Sequence, residues 1–524
     1  MLTTKVYGPP GTGKTSYLLG TVERELATGV APRDIAYVSF TKAGAHEGRD
    51  RALRRFSQYT EEDFPYFSTV HSICFRLLGL TRKQVFTGRA LAEFAKAHHY
   101  QFSAEVPGLM VQALADFDPV EEADYYEAFA QWQKDTMRWR FEDALAEFQR
   151  HHQDLTHDFS PQRLRAYLER RERFKQEHGL WDFADMLIGA WERPFAPEVL
   201  VVDEAQDNSP LLFKTLEGWM QRAERVYLSG DPYQAIFSFA GADPELMLNL
   251  KADETITLKQ SHRCCKAVHD LARAVVQRMR VRYDDDDFLP TAEPGQVAPY
   301  TGSLDGGTVF LLARTRWLLD QHYERLMDKG IPFLTRRGRK SPFEKEVGLA
   351  AGVLLRLRGG GGVGLAGLHR LACALPQRGN MVKGTRGRLE KMVQEGPGLK
   401  VWAKTALGLG FAPHLFSPAS DPFEPFKAPD DDKRYLRKVL ARHGEEALFE
   451  RPKLVLGTYH SFKGLEADSV VLDLSLTRRP WNNLQQFPDE EHRVFYTGIT
   501  RARTKVMLVA AESAWGYPLI GAKP

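Results

Sequence analysis

The sequence predicts an α/β protein with two parallel-sheet cores, each interrupted by a mainly helical insertion. A β-branched and aromatic run at residues 3–7 leads into the glycine-rich segment 8–15, and residues 16–26 then show helical spacing of apolar side chains. Residues 199–202 are all apolar, as in strands covered on both faces. A similar strand pattern at residues 308–313 begins a second core, without a second glycine-rich segment.

Composition and length narrow the class of protein. The 524 residues predict two to four domains, and 43% hydrophobic with 27% charged residues is typical of soluble globular proteins. We find neither an apolar run long enough for a membrane span nor a signal peptide, and the four cysteines are too few and scattered for a disulfide scaffold. A reducing, cytoplasmic setting is therefore expected. The net charge of +3 does not require a nucleic acid partner, but it permits a local basic track.

The glycine-rich segment GPPGTGKT fits the phosphate-binding loop G-x-x-x-x-G-K-[ST]. Its glycines allow the backbone N–H groups to point at phosphate oxygens, and the following helix N-terminus adds partial positive charge. Lys14 is expected to reach the β- and γ-phosphates, and the Thr15 hydroxyl to hold Mg²⁺. The alternative, a glycine-rich turn without a ligand, is disfavoured by the Lys-Thr pair and the flanking strand and helix. The candidate nucleotide-binding residues here are Gly8, Gly11, Thr12, Gly13, Lys14, Thr15 and Ser16.

Two later strand ends carry polar side chains suited to hydrolysis. The apolar run 199–202 leads into Asp203 and Glu204. Asp203 is predicted to hold Mg²⁺ through water, and Glu204 to orient and deprotonate the attacking water. A solvated acidic turn is the alternative. A further strand, at residues 225–229, leads to Gln234, which is placed to sense the terminal phosphate.

Changes of pattern along the chain predict its domains. Strand signals vanish between residues 81 and 189, and the aromatic residues there are expected to form a helical core. Four successive glycines at residues 359–362 indicate a hinge, and a helix is expected over residues 493–503. The predicted domains are 1–80 with 190–252 as the nucleotide-binding domain, 81–189 as its helical insertion, 253–358 with 453–524 as the second domain, and 359–452 as a short hinged insertion in it.

In this order, the motifs resemble those of superfamily 1 helicases of the UvrD/PcrA/Rep group. The matching segments are GPPGTGKT, SFTKAG, STVHSIC, VVDEAQD, GDPYQAIFSFAGA, QSHR, LLARTR, TYHSFKGLEADSVVL and YTGITRAR. The resemblance implies two RecA-like motor domains with ATP and Mg²⁺ between them, Arg263 and Arg501 as arginine fingers, and Glu466 on the ribose. It places His262 where the group has a tyrosine against the adenine, with Gly464 also among the nucleotide-binding residues. The DNA-binding residues it implies are Phe40, Thr41, Thr69, His71, Phe237, Phe239, Arg314 and His460.

The resemblance implies an ATP-dependent translocase that moves 3′→5′ on single-stranded DNA and unwinds duplexes in replication, repair or recombination. Its expected partners are single-stranded DNA and single/double-strand junctions, with any protein partner binding through residues 359–452 or the C-terminus. The alternatives are a DNA-stimulated ATPase subunit of a nuclease, replication or defence complex without robust unwinding alone, and a nucleotide-switched binding protein.

Departures from the group's pattern leave two questions open. In the group, a glutamine-bearing segment that reads adenine lies well before the phosphate loop, and the seven residues ahead of Gly8 contain no counterpart of it. Ser16 also stands where the group commonly has an arginine. The selectivity for adenine nucleotides therefore stays open. Trp515 and Tyr517 are either a remnant of the group's strand-separating hairpin or a C-terminal anchor.

Overall fold

The fold is α/β, with two six-stranded sheets in which the strands run parallel. The computed structural model describes residues 2–39, 42–102, 121–151, 160–283, 288–302, 306–396, 398–512 and 515–519. The strands are β1 (Leu2–Tyr7), β2 (Ile35–Ser39), β3 (Phe67–Ser68), β4 (Val199–Asp203), β5 (Arg225–Gly230), β6 (Glu254–Thr257), β7 (Gln296–Pro299), β8 (Val309–Ala313), β9 (Phe333–Thr335), β10 (Val363–Gly364), β11 (Lys400–Val401), β12 (Leu454–Thr458), β13 (Ala467–Asp473) and β14 (Ala502–Val509). The predicted fold class of two parallel-sheet α/β cores is confirmed.

Helices connect and cover these strands. They are α1 (Lys14–Ala27), α2 (Lys42–Arg55), α3 (Val70–Leu77), α4 (Arg89–His98), α5 (Glu122–Asp135), α6 (Phe141–His151), α7 (Pro161–His178), α8 (Phe183–Gly189), α9 (Pro210–Met220), α10 (Glu245–Asn249), α11 (Lys266–Val276), α12 (Arg316–Lys329), α13 (Glu346–Arg358), α14 (Leu365–Ala374), α15 (Thr385–Glu395), α16 (Ala403–Gly408), α17 (Asp430–His443), α18 (Glu446–Phe449), α19 (Arg478–Gln486) and α20 (Pro488–Ile499). Within the described part of the chain, none of them has both the length and the apolar character needed to cross a bilayer.

The chain separates into two compact units. The first comprises Met1–Pro299, Phe462–Glu466 and Leu474–Pro524, and the second comprises Tyr300–Ser461 and Ala467–Asp473. Residues 253–299 thus fall in the first unit, whereas the sequence pattern assigns them to the second motor domain. The predicted domain boundaries stay a prediction.

The sheet of the first unit has the order β3-β2-β4-β5-β1-β6. Alternate residues of its central strand β4 face opposite sides. Val199 and Val201 pack in one core with Leu18 of α1, while Leu200 and Val202 pack in another with Leu216 of α9. Burial on both faces explains why this strand is apolar throughout. Because the strands are parallel, the segments that follow β1, β4, β5 and β6 all leave from one edge of the sheet.

Helices α4 to α7 have a core of their own, which includes Phe94, Phe129, Trp132 and Phe148. The prediction that the aromatic residues of this region form a core is confirmed for these side chains, although Trp139 is exposed. Buried charges also meet here. Arg171 of α7 pairs with Glu127 of α5 and with Asp182 at the start of α8, and Lys134 and Lys175 also contact Asp182.

In the second unit, four strands of the second sheet have the order β13-β8-β12-β9. Strands β7 and β14 belong to the first unit and pair with each other. Strand β8 is buried along its whole length, as its apolar sequence predicts. Beyond the glycines at 359–362, β10 and β11 form a two-stranded antiparallel sheet among α14, α15 and α16.

The helix predicted over residues 493–503 is wrong at its C-terminal end. Helix α20 stops at Ile499, and β14 begins at Ala502. The hydroxyl of Thr500 donates to the carbonyls of Tyr496 and Thr497, which satisfies acceptors that the next helical turn would otherwise use. Arg501 therefore lies at the junction of a helix and a strand.

The C-terminal segment packs against α20. The ring of Tyr517 stacks on Phe495 with centroids 3.6 Å apart, and its hydroxyl lies 2.8 Å from Nδ1 of His492. Tyr517 is 2% exposed, and its N–H donates to the carbonyl of Leu474. These contacts favour the C-terminal anchor over the hairpin remnant.

We expect Tyr517→Ala to lower the free energy of unfolding by about 3–5 kcal/mol, because it empties a buried aromatic site. Tyr517→Phe keeps the stack and is expected to cost only about 1 kcal/mol for the lost hydrogen bond. Urea unfolding followed by circular dichroism measures both. Trp139→Ala, at a side chain 54% exposed, is the control and should stay within about 0.5 kcal/mol. An equal effect at the two positions would contradict the anchor.

Candidate active site

The phosphate-loop segment curls tightly between β1 and α1. Gly11 and Gly13 have φ angles of +75° and +85°, which side-chain-bearing residues rarely adopt. A Cβ atom at Gly13 would meet nothing within 4 Å, so the backbone there is open to a ligand. Lys14 donates from Nζ to the carbonyl of Gly8 at 2.5 Å, and the Thr12 hydroxyl donates to the carbonyl of Pro9 at 2.8 Å. The exposed Ser16 follows in the first turn of α1. This geometry suits a loop that binds phosphate groups.

Asp203, at the end of β4, lies beside this loop. The Thr15 hydroxyl donates to Oδ2 of Asp203 at 3.1 Å, and the hydroxyls of Tyr37 and Ser229 donate to its two oxygens at 2.8 Å each. Burial and the negative charge of Glu204 raise the pKa of Asp203. Mg²⁺ in nucleotide sites takes one or two protein oxygens and completes its shell with water and phosphate. The convergence of Thr15 and Asp203 fits such an ion.

Glu204 has a left-handed backbone, with φ +56°, which is uncommon for a residue other than glycine. Its carboxylate accepts a hydrogen bond from Nε2 of Gln206 at 2.5 Å. Burial alone raises the pKa of Glu204, but the charges of Lys14, Lys463 and Arg501, together with the hydrogen bond from Gln206, outweigh that effect and hold the pKa below its usual value. The side chain is therefore an ionised carboxylate near neutral pH, as a general base must be.

Gln234 and Arg501 contact each other directly. Nη2 of Arg501 donates to Oε1 of Gln234 at 2.6 Å, and Nε2 of Gln234 donates to Asp231 at 2.6 Å. Arg501 is 1% exposed and also donates to the carbonyls of Thr497 and Leu465. Burial lowers the pKa of Arg501 to about 10, and the positive charge of Arg263 acts in the same direction. The guanidinium thus stays protonated near neutral pH.

Arg263 and Glu466 form a second direct pair. Nε of Arg263 donates to Oε2 of Glu466 at 2.5 Å, and Arg503 contacts the other carboxylate oxygen. Burial alone raises the pKa of Glu466, but the two arginines outweigh it and lower that pKa. The predicted arginine finger and the predicted ribose-binding carboxylate are therefore neighbours in the structure. Gly464, two residues before Glu466, has a φ of +83°.

The segment before Arg263 lies against the phosphate loop. The Ser261 hydroxyl donates to the carbonyl of Pro10, and the N–H of His262 donates to the carbonyl of Gly11, both at 2.8 Å. A Cβ atom at Gly11 would lie 2.4 Å from Cβ of Arg263, so glycine is required for this approach. The imidazole of His262 is exposed.

The predicted DNA-binding residues are distributed over both units. In the first unit, Thr69 caps α3 by accepting from the N–H of Ser72, and the ring of His71 lies 5.5 Å from that of Phe183. Phe237 is buried, with its ring centroid 6.2 Å from that of the partly buried Phe239. Arg314 and His460 are buried side chains of the second unit. Phe40 and Thr41 lie outside the described residues.

Sequence reasoning missed Lys463 and Asp207. Nζ of Lys463 contacts both carboxylate oxygens of Asp207, at 2.6 and 2.5 Å. Asp207 is the last residue of DEAQD, and Lys463 is the last residue of SFK. The two residues are 256 positions apart, so the sequence spacing does not predict that they form a pair. Tyr37 and Ser229, which hold Asp203, were also missed because they stand inside apolar strands.

Comparison with known proteins agrees with these motifs. The UvrD/REP helicase N-terminal domain matches residues 2–255, and the UvrD-like helicase C-terminal domain matches residues 453–509. ATP-dependent DNA helicase UvrD2 of Mycobacterium tuberculosis is 27% identical over 344 residues, which cover 60% of this chain and 47% of the relative. ATP-dependent DNA helicase PcrA of Leuconostoc citreum is 21% identical over 347 residues, covering 62% of this chain and 44% of the relative.

A relative of another kind is the RecBCD enzyme subunit RecB of Mycolicibacterium smegmatis. It is 28% identical over 323 residues, which cover 52% of this chain and 30% of the relative. The chain matches about half or less of the length of these three relatives. The two matched domains together take in more than half of the chain and include Lys14, Asp203, Glu204, Gln234 and Arg501, so the chain belongs to the UvrD/REP helicase family.

Proposed function

We propose that this chain is an ATP-dependent DNA translocase and helicase that moves 3′→5′ on single-stranded DNA and unwinds duplex DNA. The observation that carries the proposal is the contact between Gln234 and Arg501, at the sheet edge that also presents Lys14, Asp203 and Glu204. A phosphate sensor held by a buried arginine, next to an ionised carboxylate, is an arrangement suited to hydrolysing a nucleoside triphosphate. A protein that only binds nucleotide would not need it.

The chemistry follows from what each side chain can do. Lys14 and the N–H groups of the loop would hold the phosphates, and Thr15 and Asp203 would hold Mg²⁺, which supplies charge neutralisation at the phosphates. Glu204 would take the proton of the attacking water. Arg263 and Arg501 would stabilise the charge that develops in the transition state, and Glu466 and His262 would contact the nucleoside.

DNA would bind through residues with stacking or donor side chains. Phe237 and Phe239 are proposed to take part in base stacking, which contributes about 1–3 kcal/mol per base without sequence preference. Phe239 is the more accessible of the two rings, since Phe237 is 5% exposed. Six further residues are proposed to contact DNA, namely Phe40, Thr41, Thr69, His71, Arg314 and His460. Single/double-strand junctions, a role in replication, repair or recombination, and the 3′→5′ polarity rest on the resemblance to the family.

A second candidate is a DNA-stimulated ATPase subunit that unwinds poorly by itself. The match to a RecB subunit favours it, since that protein's name describes one subunit of a larger enzyme. Such a chain would keep the same nucleotide chemistry and differ only in what the purified protein does to a duplex.

We expect single-stranded DNA to raise the rate of ATP hydrolysis by about tenfold or more, a coupling of ordinary size. A 3′-tailed duplex should be unwound and a 5′-tailed duplex should not. Steady-state ATPase assays and a fluorescent strand-displacement assay measure both. ATP turnover that is the same with and without DNA would overturn the proposal. Stimulated turnover without displacement of the 3′-tailed duplex would select the second candidate.

A further inference from the structure

The second unit contains a concave groove of about 810 Å³, a size typical of binding clefts, which range over about 300–1,000 Å³. Its walls come from segments that are far apart in sequence: β9 with the turn that follows it, helix α13, the segment from β10 into α14, strand β11, and the connection from α18 to β12. Within the described part of the chain, no residue proposed to act in hydrolysis or in DNA binding lines it. The groove is therefore a feature that the proposed function does not use.

Two glycines keep the groove open without being needed for packing. At Gly352, in the wall formed by α13, a Cβ atom would lie 2.5 Å from the carbonyl oxygen of Leu448, so close packing requires glycine there. A Cβ atom at Gly364, by contrast, would meet nothing within 4 Å. One at Gly367 would meet no atom closer than 3.5 Å, the distance to the side chain of Val353. These two positions leave space beside the backbone that a side chain of another molecule can occupy.

Four basic side chains from four different segments line the groove: Lys340, Arg356, Lys400 and Arg451. All four are exposed. The guanidinium of Arg356 lies 6.0 Å from the ring centroid of Phe449, and none of the four forms an ion pair within the part of the chain that the structure describes. Other basic side chains of this unit are paired, as Lys345 is with Asp432. The positive charge of the groove is therefore available to an outside partner.

Two carboxylates also line the groove, and one of them is already engaged. Oε2 of Glu344 accepts from the N–H and the hydroxyl of Thr335, at 2.8 and 2.7 Å, and from the N–H of Ser341 at 3.1 Å. Glu450 is exposed. The lining thus carries four cations and two carboxylates, whereas the whole chain is nearly balanced, with 71 basic and 68 acidic residues. Charge of this sign attracts a partner that bears carboxylates or phosphates.

Apolar surface decides between these two kinds of anion. Leu349 and Phe449 line the groove and are 39% and 36% exposed, beside the buried apolar side chains of Phe343 and Val363. Covering such surface is favourable for an apolar group, whereas the phosphates of a nucleic acid backbone would lose hydration there without compensation. A protein segment can present an apolar side chain between carboxylates, so it matches both the apolar wall and the cations.

We propose that this groove docks an acidic segment of a partner protein, with an apolar side chain beside Gly364 and Gly367 and carboxylates paired with the four cations. An apolar anchor in a pocket, bordered by polar contacts at the rim, is the usual energetic pattern of protein interfaces. Exposed charge pairs of this kind mainly set the association rate and the choice of partner. The inference goes beyond the proposed function, because the groove shares no residue with the proposed nucleotide and DNA sites.

The probe is a phage-displayed library of short random peptides, selected on the full chain and counter-selected on Gly367→Leu. This change fills the groove, and leucine is the better helix former at a position inside α14, so the variant should fold. We expect enriched peptides to carry acidic residues around an apolar one, and fluorescence anisotropy should show about tenfold or more weaker binding to the variant. A selection that enriches no acidic–apolar pattern, or peptides that bind both chains equally, overturns the inference.

Charge reversal gives a second test with a matched control. Arg356→Glu combined with Lys400→Glu reverses two exposed charges of the groove and should weaken binding of the enriched peptide about tenfold or more. Arg378→Glu combined with Lys427→Glu makes the same change of charge at exposed residues of this unit that do not line the groove and form no ion pair in the described chain. This control should bind like the wild type, and circular dichroism checks the folding of each variant. Equal losses in the two double variants would mean attraction to overall charge and would overturn the inference.

The same variants test two other occupants. An oligonucleotide that displaces the peptide, and whose own binding falls only in the variant of Arg356 and Lys400, would make the groove a DNA contact and overturn the inference. A wild-type dimer that Gly367→Leu dissociates, measured by analytical ultracentrifugation, would make a second copy of this chain the occupant and would also overturn it. Peptide binding by a monomeric chain that persists in saturating DNA supports a partner protein.

Discussion

Replacing Lys14 with alanine is expected to abolish both DNA-stimulated ATP hydrolysis and strand displacement. Removing one preorganised charge that acts on a transferred phosphate costs about 10²–10³-fold or more in rate. In the structure the ammonium donates to the carbonyl of Gly8, inside the curl of the loop where a phosphate would bind. Steady-state hydrolysis and displacement of a 3′-tailed duplex measure the loss.

Folding should survive the change at Lys14, because one hydrogen bond contributes only about 1 kcal/mol. Circular dichroism and thermal unfolding of the variant test this. Lys83→Ala, at an exposed lysine in the same unit, is the control and should match the wild type in every assay. Unwinding that persists in the Lys14 variant would contradict the proposed function.

The parts of the fold that were predictable are those in which one local pattern has one structural solution. The continuous apolar run in β4 is typical of a strand covered on both faces, and the structure places its alternate residues in two cores. The end of α20 could not be predicted, because it depends on the Thr500 hydroxyl turning back to carbonyls of its own helix. That competition between side chain and backbone leaves no periodic signal in the sequence.

The candidate site also has a part that the sequence predicts and a part that it does not. The loop at 8–15 and the pair Asp203 and Glu204 are contiguous in sequence, so their chemistry can be read directly. The contacts between Gln234 and Arg501 and between Lys463 and Asp207 join residues more than 200 positions apart. Only the family resemblance predicted a role for Arg501. It predicted none for Lys463, and nothing else in the sequence distinguishes this lysine from an exposed one. Burial, which the sequence does not report, distinguishes it.

Arg501→Ala is the second change with a large expected effect. A cis arginine finger contributes about 10³–10⁵-fold to the rate of phosphoryl transfer, so we expect a loss of kcat in that range. The structure gives this guanidinium a fixed position, since it donates to Gln234, Thr497 and Leu465. The KM for ATP should change little, because Lys14 and the loop remain. Rapid-quench and steady-state kinetics with saturating DNA separate the two parameters.

Two variants sharpen the interpretation of Arg501. Arg501→Lys keeps a positive charge but loses the planar fork, so it should recover only part of the rate. Arg503→Ala removes an arginine two positions away that is half exposed and contacts Glu466, and its kcat should stay within about tenfold of the wild type, as expected for an exposed ion pair. Equal losses in the Arg501 and Arg503 variants would mean that this segment acts through its overall charge. A loss confined to Arg501 would require a charge at that one position, which is what a transition-state contact demands.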